Sequence, residues 1–177
     1  TSENISAKLE NVWFKCYKEI SNVNFAVSNI ENVSGLSEEE KDKLKAEALF
    51  FRAFNYFYLV RNFGGVPLIT EAYDGLDNIY VPRATVKEIY TLIEEDLLFA
   101  TKVGLPNKAF TKSGFRITQG AVDMLLADVY LNMSGYPLLE DHYEDAAKYS
   151  RKIIKDAQHS LLSHDNFEEA SAYNKIR

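Results

Sequence analysis

Residues 46–68 read AEALFFRAFNYFYLVRNFGGVPL, and this stretch limits the possible folds more than any other. Placed on a helix, Ala46, Leu49, Phe50, Ala53, Phe57 and Val60 line one face. Phe51, Phe54 and Tyr58 line a second face. A helix apolar on two sides is sandwiched between neighbours, so the chain must supply further helices to pack against it. Ala46, Ala48 and Ala53 let those neighbours approach closely. Arg52, Asn55, Arg61 and Asn62 interrupt the apolar run and exclude a membrane span, which needs about eighteen apolar residues. Buried rings are the usual fate of such a stripe, so it reads first as core and only second as a ligand platform.

The remaining sequence supplies the neighbours, and helical spacing dominates it with no convincing strand alternation. A first helix is expected from about Asn4 to Asn32, with Trp13, Tyr17, Ile20, Asn24 and Val27 on one face. It breaks at Val33-Ser34-Gly35. Ser37 and Glu40 form a capping box for the ring-rich second helix, and Glu38, Glu39 and Glu40 suit the positive end of its dipole. Gly64-Gly65 ends that helix and Pro67 blocks a restart. Thr85 and Glu88 form a second capping box, followed by a stripe of Val86, Ile89, Tyr90, Ile93, Leu97 and Ala100. Thr118 caps a fourth helix carrying Ala121, Val122, Leu125, Leu126, Val129 and Met133. A fifth runs from Tyr143 to about Gln158, with Tyr143, Ala146, Ala147, Ser150, Ile153, Ile154 and Ala157 turned inward. The expected fold is all-α: one unit over 1–177, an irregular stack of antiparallel, tetratricopeptide-like helical pairs with about five main helices.

Chemistry-bearing motifs are sparse. A net charge of −6 argues against general nucleic-acid binding, which needs a basic stripe. The single cysteine, Cys16, forms no internal disulfide, builds no thiolate metal site and reads as a buried or half-buried thiol. His142, His159 and His164 lack zinc-ligand spacing and read as surface residues. Glu94, Glu95 and Asp96 are consecutive on a helix and point in different directions, so they cannot converge as acid and base; they read as a solvated face. No phosphate-cradling glycine motif occurs. The expectation is a protein that is not an enzyme and has no cofactor and no metal.

The segment AEALFFRAFNYFYLVRNFGGVPLITE, residues 46–71, resembles the signature of the SusD/RagB family. Ala46, Glu47, Ala48, Arg52, Ala53, Leu59, Val60, Arg61, Gly64, Gly65, Val66, Pro67 and Leu68 carry the match. The first helix around Trp13 and Tyr17, VPRATVKEIYTLIEEDL at 81–97, ITQGAVDMLLADVYL at 117–131 and the spacing within 143–156 are similar in the same order. The resemblance implies a surface-exposed outer-membrane lipoprotein that captures a glycan, or in some members a peptide. It also implies partnership with a TonB-dependent transporter and a helical scaffold whose ligand contacts come largely from loops. Family members are several hundred residues long, so the chain is expected to be part of a longer protein, with the lipid anchor upstream of Thr1.

Within the chain, Tyr73, Asp74, Asp77, Asn78 and Tyr80 are the candidate ligand residues. They share the connection EAYDGLDNIYVPRA, where rings could stack on sugars and the amide and carboxylates could bond hydroxyls. The commoner role of such rings is to pack the loop down. The alternative function is an intracellular tetratricopeptide-type adaptor for a peptide or partner protein, which would need a regular repeat and a polar groove. The two-faced second helix also predicts an exposed apolar patch, with self-association, if a covering layer is missing.

Overall fold

A computed structural model describes residues 2–72, 80–107 and 116–156, with side chains from residue 8 onward. Five α-helices follow in order: α1 (Ser2–Asn29, tightening to a 3-10 turn at Ile30–Asn32), α2 (Glu38–Phe63), α3 (Val86–Val103), α4 (Gln119–Met133) and α5 (Tyr143–Asp156). The all-α expectation holds among the described residues, where the only extended pairing is an isolated antiparallel bridge between Pro67 and Arg83. No described helix is long and apolar enough to cross a membrane.

Side-chain pairs give the packing order. Trp13 meets Phe63 and Tyr17 meets Tyr56, so α1 and α2 run antiparallel. Lys45 sits over Phe99 and Phe57 meets Tyr90, which sets α3 antiparallel to α2. Asp123 bonds Lys152 and Tyr130 stacks on Tyr149, which does the same for α4 and α5. Glu47 pairs with Arg116 and Arg61 with Asp128, so α4 runs parallel to α2, with α3 packed against both. The core runs through this stack, with Ile20, Tyr56, Leu59, Ile93, Leu97 and Leu126 fully buried.

Local chemistry sets the helix ends. Ser37 and Glu40 close one capping box and Thr85 and Glu88 the other, each hydroxyl accepting from a backbone N–H while the carboxylate accepts in return. Gly64 ends α2 at φ 68°, donating its N–H to Val60 O. Thr118 caps α4 by accepting from Ala121 N–H. The Glu40 and Glu88 carboxyls lie below their ordinary value of 4.5 because of hydrogen bonds from Ser37 and Thr85 respectively. A folded value below the unfolded one gives stability that is complete above the ordinary value and is lost as pH falls through the lower folded one. On acidification the amides of Ser37 and Thr85, which donate to these carboxylates, are therefore expected to lose hydrogen-exchange protection before the core amides do. Unchanged protection of the Ser37 and Thr85 amides in Glu40→Ala and Glu88→Ala at neutral pH would remove this role.

Two sequence expectations need correction. Phe51, Phe54 and Tyr58 are 45%, 49% and 44% exposed. The helix is sandwiched between α1 and α3, but no described element covers its second apolar face. On α5, Tyr143 and Ile154 are 59% and 76% exposed instead of inward. Among the described helices α5 packs on α4 alone, so its buried stripe narrows to Ala146 and Tyr149, with Ala147, Ser150 and Ile153 half-buried. Ala157 lies outside the described residues.

Candidate functional site

The chain leaving α2 is held against the helices by its backbone. Tyr17 donates its hydroxyl to Pro67 O at 2.7 Å. Tyr56 donates to Ile69 O at 3.0 Å and accepts from Ile69 N–H at 2.7 Å. Asn24 Nδ2 donates to Ile69 O and Glu71 O at 2.9 and 3.2 Å. Arg52 donates to Thr70 O at 3.1 Å. All these bonds reach main-chain atoms, so the path of residues 67–71 is set from α1 and α2 whatever side chains that segment carries.

Behind the clamp lies a buried ion pair. Arg52 Nε and Nη2 donate to Asp96 Oδ2 and Oδ1 at 2.8 and 2.7 Å, and Nη1 donates to Asn24 Oδ1 at 3.0 Å. Burial pushes the Asp96 carboxyl above its ordinary value even against Arg52, so burial makes its charge costly and the fork of hydrogen bonds offsets that cost. This corrects the reading of Glu94-Glu95-Asp96 as a solvated face. Glu95 is exposed and Glu94 accepts from Tyr130 Oη at 2.7 Å, but Asp96 is only 4% exposed. The three carboxylates do diverge, and they meet no common point where a substrate could sit.

The clamped segment leads to the candidate ligand residues. Tyr73, Asp74, Asp77 and Asn78 lie outside the described residues. Tyr80 is 98% exposed, so it does not pack the connection down. Beside it a groove of about 590 Å³ runs between α1 and the two flanks of the connection. Trp13, Phe14, Tyr17, Ile20 and Ser21 line one wall, and Pro67, Ile69 and Val81 line the other. Phe14 is 67% exposed at its edge. Sequence reasoning missed this groove because its walls come from segments more than forty residues apart. The exposed face of Phe14 on α1 was the signal available.

The remaining reactive groups are accounted for by packing. Cys16 is 8% exposed and burial raises its thiol pKa, which keeps it protonated. His142 is half-buried and not a free surface residue: it stacks on Tyr130 and lies 3.3 Å from Glu140 and 3.5 Å from Asp145. Burial, with the bond to Glu94, pushes the Tyr130 hydroxyl far above its ordinary value. No cluster of His, Cys, Asp or Glu among the described residues is arranged to hold a metal. His159 and His164 lie outside those residues.

A family model described as SusD-like, starch-binding and associating with the outer membrane matches residues 1–131. The chain belongs to the SusD-like family. A SusD superfamily protein from Parabacteroides distasonis superimposes with a TM-score of 0.80 at 41% identity, over 86% of this chain and 32% of its own. A structure solved with a xylogluco-oligosaccharide gives 0.77 at 28% identity, over 87% and 31%. A laminarin-binding SusD-like protein gives 0.72 at 27% identity, over 86% and 31%. The chain spans 24% to 31% of the length of the curated SusD-like relatives it matches.

Proposed function

We propose that the protein containing this SusD-like chain captures glycan at the outer surface of the outer membrane, without catalysis, and passes it to a TonB-dependent transporter. The observation that carries this reading is the match of residues 1–131 to a family described as starch-binding and associating with the outer membrane. That description favours the glycan receptor over an intracellular adaptor. Relatives named for xylogluco-oligosaccharide and laminarin point to the same ligand class. A lipid anchor upstream of this chain would hold the protein at the membrane. Within the chain, glycan contact is assigned to the connection carrying Tyr73, Asp74, Asp77, Asn78 and Tyr80. The exposed ring of Tyr80 supports this, as does the backbone clamp that fixes one flank of the connection.

Calorimetric titration of the full-length protein with xylogluco-oligosaccharide, laminarin, soluble starch and a peptide mixture tests the proposal. Saturable binding of at least one glycan is expected, with no new reducing ends. Losing one stacked ring removes about 1 kcal/mol, so Tyr73→Ala and Tyr80→Ala should each weaken binding by about five- to tenfold. Unchanged affinity in both variants would take these rings out of the site. Binding of peptide alone, or cleavage of the glycan, would overturn the reading itself.

A further inference from the structure

The groove between α1 and the clamped segment is chemically mixed. At about 590 Å³ it falls within the size range of small-ligand clefts, about 300–1,000 Å³. Phe14 is 67% exposed at its edge, and Trp13, half-buried beside it, packs on Tyr17 and edge-on against Phe63. The same wall carries two unengaged polar groups. Neither the Trp13 indole N–H nor the half-buried Ser21 hydroxyl has a hydrogen-bond partner among the described residues. Half-buried groups of this kind are normally satisfied by protein, water or a ligand. Lys18, one helical turn beyond Phe14, adds an exposed ammonium.

The opposite wall narrows the choice of occupant. Pro67 has no N–H and its carbonyl accepts from Tyr17, while Ile69 engages both main-chain groups with Tyr56. An extended peptide pairs through main-chain groups, and along this wall it would find those of Pro67 and Ile69 taken. A pyranose needs instead a ring for its C–H face and a few groups for its hydroxyls, which Phe14, Trp13 and Ser21 supply. The groove also continues from the connection, because Val81 lines it and adjoins Tyr80. We propose, resting on the glycan-binding reading of that connection, that this groove is a second saccharide subsite. Phe14 stacks on a sugar ring, the Trp13 N–H donates to a hydroxyl, the Ser21 hydroxyl bonds another, and the glycan runs from Tyr80 along α1.

The test is calorimetric titration of the full-length protein, as wild type, Phe14→Ala and Ser21→Ala, with short and long oligosaccharides of laminarin and xyloglucan. Long oligosaccharides should bind Phe14→Ala about five- to tenfold more weakly than wild type, and Ser21→Ala about two- to tenfold more weakly. Oligosaccharides too short to reach from Tyr80 into the groove should lose less than about twofold. This dependence on length separates direct contact from a structural effect, which would weaken all lengths alike. Unchanged affinity for long oligosaccharides in both variants, the result if other sequence fills the groove, would overturn the subsite and leave the glycan reading standing. Equal losses at every length would do the same. If no glycan binds the wild type, the glycan reading fails and the subsite fails with it.

Discussion

Asp96→Ala is expected to lower the unfolding free energy by about 3–5 kcal/mol, the usual cost of leaving one member of a buried ion pair behind. The side chains of Arg52 and Asp96 are 9% and 5% exposed, so the abandoned guanidinium could not reach water without moving two helices. Replacing both partners by apolar residues, as in Arg52→Met with Asp96→Leu, should recover part of this loss because no charge stays buried. Recovery should be incomplete. Arg52 also serves Asn24 Oδ1 and Thr70 O, and each orphaned buried acceptor costs about 1–3 kcal/mol. Urea unfolding of the wild type, the single variant and the double variant closes the comparison. A single variant within about 0.5 kcal/mol of wild type would mean that the pair is solvated in solution, because surface changes are of that size.

The same pair shows what the sequence could reveal. The capping boxes were legible because their partners stand three residues apart, a distance fixed by helix geometry. Asp96 and Arg52 are 44 residues apart, and nothing local joins them. A weaker signal was present: Asp96 falls on the α3 stripe with Ile89, Ile93 and Ala100, and Arg52 falls beside Leu49 and Tyr56 on α2. A charge on a buried stripe requires a partner, since an unpaired buried charge is not tolerated. Tyr56, Tyr17 and Asn24 were harder still to interpret because they bond backbone carbonyls, whose positions a sequence does not display. The second apolar face of α2 was legible as apolar. Its cover was not, because no described helix of this chain provides one. The groove beside Tyr80 forms only once α1 meets the clamped segment.

In the sequence the double glycine marks a helix stop, and Gly64 serves as one, but Gly65 has a tertiary task. A Cβ on Gly65 would lie 2.4 Å from Ala84 O, inside the distance that real side chains adopt. Ala84 cannot easily retreat. Its N–H is bonded to Val66 O at 2.9 Å, and the next residue, Thr85, is locked into the α3 capping box. An added methyl must therefore push the Gly65 segment away from the start of α3 or break the Ala84–Val66 bond. Gly65→Ala is expected to cost about 1–3 kcal/mol, the usual range for overpacking against a wall that does not yield. Gly120→Ala is the matched control: its nearest neighbour would be Thr118 Oγ1 at 3.9 Å, and alanine suits the first turn of α4, so stability should hold or rise by up to about 1 kcal/mol. Hydrogen exchange separates a local cause from a general one. In Gly65→Ala the Ala84 amide should lose protection ahead of the core amides of Leu97 and Leu126. If both glycine variants unfold at the wild-type midpoint with Ala84 still protected, the contact between the two backbones is looser than 2.4 Å implies and the second glycine has no packing role.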